Sequence, residues 1–400
     1  MKYDITIVGA GIVGLATAYQ LSEKRPDLKI AIVEKEEGVA QHQTSHNSGV
    51  IHSGIYYKPG SSKAINCRKG YQYLLEFCEQ YQIDYQLCGK VIVATKPSEL
   101  TQLEELYERG VANGLVGIRK LSKTETLEKE PYVNALASIW VPEAGIIDYK
   151  RVAKKYLEIV KERGGKLYPS QSLFKVVRKG NDLRIYTDKR ELQTNVLITC
   201  AGLYADKVAK LTKQEIDFQI LPFRGEYYLL KEEQEHLVNH LIYPIPNPDF
   251  PFLGVHFTPR IGGGVEAGPN AVLAFRREGY SRWHYNAKEF RETFHYPGFK
   301  KIARQHWKTG LLEQYRSYSK PAFVRALRQL IPTIKHTDLV RGGAGVRAMA
   351  CDSKGKLIDD FLILEQDRII NVCNAPSPAA TASLAIGETV AEKALAQLKS

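Results

Sequence analysis

The chain opens on a β-branched apolar run, Tyr-Asp-Ile-Thr-Ile-Val at residues 3–8, which reads as a buried strand. A glycine-rich turn follows, then a helical stretch carrying Val13, Ala16, Thr17, Tyr19, Gln20 and Leu21 before Pro26. Lys29 to Val33 returns to strand and ends at Glu34. Further along, Leu74, Leu75, Cys78 and Tyr81 lie near helical spacing and predict a helix over 64–81. Residues 90–95 predict a strand, 98–113 a polar, solvated helix, and 148–163 a long helix ending at Gly164-Gly165. The segment 140–148 between them reads as a crossover. Short strands are expected near 171–177, which includes Leu173, and at 183–187. A hydrophobic strand, Asn195 to Cys200, leads through Ala201-Gly202 into a helix with Val208 and Leu211. Residues 218–275 read as strands of a second domain, with Gly262-Gly263-Gly264 and Gly268-Pro269-Asn270 as turns. Pro244, Pro246, Pro248 and Pro251 mark an irregular loop that can cap a pocket. Near the end, 341–347 reads as a loop, 369–373 as a strand and Ala379 onward as a helix.

The first turn carries chemistry. Gly9-Ala10-Gly11-Ile12-Val13-Gly14 is a G-x-G-x-x-G between a strand and a helix, and Glu34 lies twenty positions after Gly14. In that setting Gly9 permits the tight turn, Gly11 admits a pyrophosphate against the backbone, and Gly14 lets helix and strand pack closely. The helix start offers free N–H groups and partial positive charge to phosphates. Glu34 is placed to accept hydrogen bonds from ribose hydroxyls and to repel a 2′-phosphate. The next segment, TSHNSGVIHSGIYY at 44–57, is dense in Ser, Gly and His. Such a loop suits wrapping along an extended dinucleotide toward a flavin ring, whereas a nicotinamide dehydrogenase would continue its alternating strands and helices.

Together with this loop, four stretches carry a resemblance: HNSGVIHSGIYYKPGSSKA from His46, PFRGEYYLL at 222–230, FTPRIGGGVEAGPNAVLAF at 257–275 and NAPSPAATASLAIGE at 374–388. The chain resembles the D-amino-acid-oxidase-like flavoproteins and, within them, the L-2-hydroxyglutarate dehydrogenase/oxidase family, from residue 3 to about 390. The resemblance implies an α/β fold: a Rossmann-like FAD-binding domain with an interleaved α+β substrate domain on a mainly antiparallel sheet. The FAD domain is expected from 1–82, 145–215 and 335–400, and the substrate domain from 83–144 and 216–334. FAD is the implied cofactor. Ser45, Ser48 and Gly49 of the loop, Leu173, and the Ala201-Gly202 turn are implied to line it. Ser377, Pro378 and Ala379 suit a helix start, with a hydroxyl cap and then a proline whose missing N–H costs nothing. In the related fold this helix start points at the flavin ring, where its partial positive charge favours the reduced form.

The implied reaction oxidises L-2-hydroxyglutarate to 2-oxoglutarate by hydride transfer, with electrons passed to a quinone or oxygen. The L hand rests on the resemblance alone. The same scaffold also serves glycerol 3-phosphate or amino acids such as sarcosine. A 2-hydroxy diacid needs cations for two carboxylates and one general base. Arg347 is the first carboxylate anchor, because guanidinium pairs bidentately with carboxylate. His256 is the first candidate base, with His52 as its rival or as a support for the ring. Arg260, Arg224, Tyr57 and Lys63 are open candidates for the distal carboxylate.

Composition narrows the classes. Four hundred residues exceed one ordinary core and suggest two to three domains of about 150 residues. No run reaches about 18 apolar residues, so no membrane span is expected. The N-terminus lacks a signal-peptide pattern, and the expectation is a cytoplasmic protein. The six cysteines, Cys67, Cys78, Cys88, Cys200, Cys351 and Cys373, form no C-x-x-C pair, so no metal site is expected. The formal net charge is +12, and between Arg276 and Arg328 thirteen Lys and Arg face four Glu, a local +9. Trp283 and Trp307 lie there, interleaved with Tyr280, Tyr285, Phe290, Phe294, Tyr296 and Phe299. A basic aromatic lobe of this kind can bind nucleic acid or dock on an anionic membrane. A membrane is the expected partner, on the inner face of the cell membrane and with a quinone as acceptor; nucleic acid is not.

Overall fold

A computed structural model describes residues 2–180, 182–246 and 254–399. Two large sheets organise the chain. In the first, Lys2–Val8 runs parallel to Ile30–Val33 on one side and to Glu191–Thr199 on the other. Lys166–Tyr168 extends it beyond Ile30–Val33, and Ile369–Asn374 pairs with the far half of Glu191–Thr199. Strands covered on both faces read as continuous apolar runs, and Ile30–Val33 is buried throughout. On one face Ile5, Ile7, Ile198 and Ile370 meet helices Ile12–Lys24, Tyr149–Glu162 and Ser383–Lys399. The middle helix shows why it forms: Val152, Tyr156, Ile159 and Val160 fall on one buried stripe, and Asp148 caps it by accepting from Lys150 and Arg151 N–H. On the other face Tyr3, Val8 and Val33 pack on Val176, Leu183 and Ile185 of a β-meander.

The second sheet has nine strands, all antiparallel save one pair, Leu241–Pro244 beside Lys90–Ala94. Its longest partnership joins Phe218–Leu230 to Leu339–Asp352. Here the structure corrects the sequence reading. Residues 341–347 are the middle of a strand, not a loop, and 339–352 belongs to this sheet rather than to the FAD piece expected from 335. Glycine-rich Arg-Gly-Gly-Ala-Gly reads locally as a loop, but thirteen residues of partner strand override that preference. One of these glycines is also required by a close approach. A Cβ at Gly345 would lie 2.3 Å from the His46 carbonyl oxygen, so the strand passes directly against the 44–49 loop.

Two further differences follow from packing. The helix Leu100–Ala112 is not solvated throughout, because Leu103, Leu106 and Gly110 are buried. The C-terminal helix starts at Ser383, so Ser377, Pro378 and Ala379 lie in a turn before it rather than at its first positions. A small three-stranded sheet, Val50–Ile51, Gly145–Ile147 and Tyr85–Gln86, lies at the seam between the two large ones. The basic lobe forms three helices, Ala287–His295, Pro297–Tyr318 and Lys320–Leu327, the second interrupted at His306. Of the prolines in the expected capping loop, Pro244 ends a strand, while Pro248 and Pro251 lie outside the described residues. No helix among the described residues is long and apolar enough to cross a membrane.

Candidate active site

The dinucleotide fingerprint folds as a cradle. Gly9 has φ +104°, and a Cβ there would meet the Cys200 carbonyl oxygen at 2.3 Å. A Cβ at Gly14 would meet the Gly9 carbonyl oxygen at 2.1 Å. These two glycines are demanded by packing. Gly11 differs: the nearest atom to its missing Cβ is Thr44 Oγ1 at 3.5 Å, so its side remains open. Gly11 also caps helix Ile12–Lys24 without any side-chain hydrogen bond, and only Thr44 Oγ1 reaches in, accepting the Ile12 N–H at 3.0 Å. An uncapped helix start beside an open glycine fits a pyrophosphate.

Glu34 ends the neighbouring strand, buried, with its two oxygens accepting from Ala10 N–H (2.7 Å) and Glu36 N–H (2.9 Å). Each oxygen keeps a further lone pair for a ribose hydroxyl. Ser170 and Gln171 N–H donate to the Glu36 and Glu34 carbonyls, which sets the strand beginning at Leu173 beside this acid. At the opposite end of the cradle, Cys200 N–H donates to the Val8 carbonyl, and Ala201-Gly202 turns next to Gln43. The Ser45 hydroxyl donates to the Ala40 carbonyl, and the carbonyl of Gly49, at φ +65°, accepts the Ile147 N–H. Ser45, Ser48 and Gly49 line a cavity of about 380 Å³ that Arg260, Tyr227 and Ala344 close from the second sheet. The residues present thus fit FAD along the groove from Glu34 to the 44–49 loop. Nearby, Glu36, His42 and Glu278 come within metal-ligating distance of one another, with the Lys35 ammonium among them, 2.8 Å from His42 Nε2.

Beyond the loop, residues distant in sequence meet on one face of the second sheet. His256 opens the strand His256–Pro259, buried, with its ring stacked on Tyr243 at 3.9 Å. Its Nδ1 lies 2.8 Å from the Gly254 carbonyl and donates to it, leaving Nε2 as the acceptor. Burial, with the charges of Arg347 and Lys90, pushes the His256 pKa down to about 3. His52 approaches from the 44–57 loop. Its N–H donates to Thr381 Oγ1 at 3.1 Å, and its Nε2 lies 3.4 Å from Ser377 Oγ. Burial, then Lys90, His256 and Lys63, lowers its pKa to about 3 as well. The turn carrying Ser377, Pro378 and Ala379 therefore positions His52. Arg347 lies opposite Phe223, and its charge acts on His256, Tyr227 and Tyr243.

The distal-carboxylate candidates fare differently. Arg224 pairs with Val346, one residue from the Arg347 pair, and so points to the other face of the sheet. There it is buried against Glu226 (3.0 Å) and donates to the Ser281 carbonyl. The Lys63 ammonium is bound by Asp359 at 2.6 Å. Arg260 sits at the cavity mouth, half exposed, 3.5 Å from Glu266. Tyr57 lies near Ser377 and under the Lys63 ammonium.

Sequence reasoning passed over Lys90. It heads the apolar run Lys-Val-Ile-Val-Ala and looks like the wet end of a strand, yet it is 1% exposed. Its Nζ lies 4.0 Å from the Tyr243 ring centre and 5.5 Å from that of Tyr56. A lysine opening a five-residue apolar strand was the available signal, and only the pairing with Leu241 and Val141 makes it legible.

The FAD dependent oxidoreductase family matches residues 4–393. The chain is 54% identical over 396 residues to L-2-hydroxyglutarate dehydrogenase of Indibacter alkaliphilus, covering 99% of each. It is 45% identical over 408 residues to the mitochondrial L-2-hydroxyglutarate dehydrogenase of Caenorhabditis elegans, covering 100% of this chain and 94% of that one. Among solved structures, dithionite-reduced L-alpha-glycerophosphate oxidase from Mycoplasma pneumoniae, with FAD bound, superposes with a TM-score of 0.80 at 25% identity. That match covers 100% of this chain and 95% of the other.

Proposed function

The chain belongs to the FAD dependent oxidoreductase family, and from that premise we propose that it oxidises L-2-hydroxyglutarate to 2-oxoglutarate. Bound FAD supplies the two-electron acceptor for the hydride of C2. Arg347 holds the C1 carboxylate through its guanidinium fork. His256 takes the hydroxyl proton at Nε2, because its Nδ1 proton is committed to the Gly254 carbonyl. His52, held by Thr381 and Ser377, fixes the opposite side of the pocket. Burial, with the cations around them, keeps both imidazoles unprotonated before substrate arrives, and a dianionic substrate offsets those cations, strengthening the base at the moment it is needed. The observation that carries the proposal is this meeting of a neutral, tautomer-fixed imidazole with a guanidinium on the sheet face turned to the 44–57 loop.

Anaerobic mixing with 2-hydroxy acids of both hands, glycerol 3-phosphate and sarcosine tests it. Flavin absorbance at about 450 nm should bleach with L-2-hydroxyglutarate. Bleaching by glycerol 3-phosphate or an amine, and none by L-2-hydroxyglutarate, overturns it.

The electron acceptor completes the proposal. In the lobe 276–328, Trp283, Tyr285, Trp307, Leu311, Leu312 and Tyr315 are each more than half exposed. Aromatic and leucine side chains standing out from a surface of local charge +9 suit an anionic bilayer. The lobe docks there on the cytoplasmic face, and a quinone takes the electrons. Sedimentation with anionic liposomes at low salt should carry the protein down. Failure to bind, or binding unchanged when the basic side chains of 276–308 are removed, refutes the docking.

A further inference from the structure

Lys90 is a buried cation that the scheme above leaves without an anion. Among the described residues its ammonium makes no ion pair, and its close contacts are the ring faces of Tyr243 and Tyr56. Burying an ammonium costs several kcal/mol unless an anion and hydrogen bonds meet it, and ring faces offset only part of that. A second group beside it is also unmet: the Tyr56 hydroxyl is buried and has no hydrogen-bond partner among the described residues. An ammonium and a phenol, both unpartnered, are donors that a carboxylate can accept from. The other cations near the site are engaged, Lys63 by Asp359, Arg224 by Glu226 and Arg260 by Glu266.

We propose that Lys90 binds the distal, C5 carboxylate and selects a diacid over a monoacid, with the Tyr56 hydroxyl as its second donor. This rests on the substrate assignment made above. Lys90 Nζ stands 4.0 Å from the Tyr243 ring centre, which stands 3.9 Å from that of His256, so ammonium and imidazole are at most about 8 Å apart. A three-carbon hydroxy acid has no second carboxylate and leaves Lys90 unmet. Arg347 and Lys90 both act on His256, so a cation for each carboxylate lies near the base.

The test measures binding of 2-oxoglutarate and of 2-oxopentanoate, which has a methyl in place of the distal carboxylate. It uses the FAD-loaded wild type and K90M. K90M should weaken 2-oxoglutarate by about 30-fold or more while leaving 2-oxopentanoate within about threefold. Its melting temperature should be no lower than that of the wild type, because an uncompensated buried charge has been removed. A merely structural lysine predicts the reverse: lower melting, with both ligands weakened alike. A measurement on the wild type alone stands whether or not K90M folds. Burial lowers the Lys90 pKa to about 7, and the neighbouring thiols Cys67 and Cys88 are pushed up and stay neutral. Calorimetry at pH 8 in buffers of different ionisation enthalpy should therefore show proton uptake with 2-oxoglutarate and none with 2-oxopentanoate. If the wild type reduces its flavin with L-2-hydroxyglutarate but K90M keeps the diacid preference, or no proton is taken up, Lys90 alone is wrongly assigned. If L-2-hydroxyglutarate leaves the wild-type flavin oxidised, the substrate assignment falls and takes this one with it.

Discussion

A buried ion pair helps fasten the basic lobe to the FAD-binding half, and its strength can be measured. Arg277 enters the lobe, and Asp206 lies in helix Ala205–Leu211. Their side chains are each 4% exposed and meet as a two-pronged fork, Nη1 to Oδ1 at 2.5 Å and Nη2 to Oδ2 at 2.7 Å. Arg277 Nη1 also donates to the Leu203 carbonyl, and Asp206 accepts the N–H groups of Lys207 and Ile220. Removing one partner strands the other charge in a dry site. D206N or R277M should therefore destabilise by about 3–5 kcal/mol. Unfolding entropy of roughly 2.1 cal/mol/K per residue over this length converts that to a fall in Tm of about 4–6 °C. The double variant D206L/R277M buries no charge. It still leaves the Leu203 carbonyl and two N–H groups unmet, at about 1 kcal/mol each, so it should be no less stable than either single variant. Differential scanning calorimetry of the FAD-loaded proteins decides. A double variant whose loss equals the sum of the two single losses shows two independent side chains and refutes the fork as a coupled unit.

Three further outcomes are expected. H256N should lower the rate of flavin reduction by about 10²–10⁴-fold with little change in 2-oxoglutarate binding; an H52N loss as large, with H256N nearly silent, makes His52 the base. Because the His256 pKa is pushed below the ordinary 6.5 to about 3, the unfolded chain binds the extra proton between those values. Stability should then fall as pH drops below about 6.5, by up to about 1.4 kcal/mol per unit from this group, and urea titrations of H256F should show a shallower slope. G345A puts a Cβ 2.3 Å from the His46 carbonyl oxygen, a backbone atom that cannot swing aside. FAD should be lost on gel filtration, and retention at wild-type affinity shows that the 44–49 loop does not need this contact.

What could be read before the fold was seen follows the range of the forces involved. The strand, turn, helix and acid from Tyr3 to Glu34 are set by neighbours in sequence, and Gly9 and Gly14 are where packing forbids a Cβ. The candidate Arg347 was placed on a misread element. Its strand is made by Phe218–Leu230, more than a hundred residues earlier, which local propensity in a glycine-rich stretch cannot reveal. Ser377 and Pro378 misled in the same way: the residues suit a helix cap, but the chain spends them on a turn whose next residues hold His52 through Thr381. Lys90 was invisible because its burial depends on Tyr56 and Tyr243, from two other parts of the chain. These failures share one cause. The fingerprint binds a dinucleotide through backbone, so its sequence pattern is local. The proposed substrate pocket instead draws on side chains from five separate segments, those of His52, Lys90, Tyr243, His256 and Arg347, and no local pattern constrains their meeting. On the proposed assignment, substrate choice is written in which strands pair, and Lys90, an ordinary lysine in the sequence, is placed only by its neighbours across the sheet.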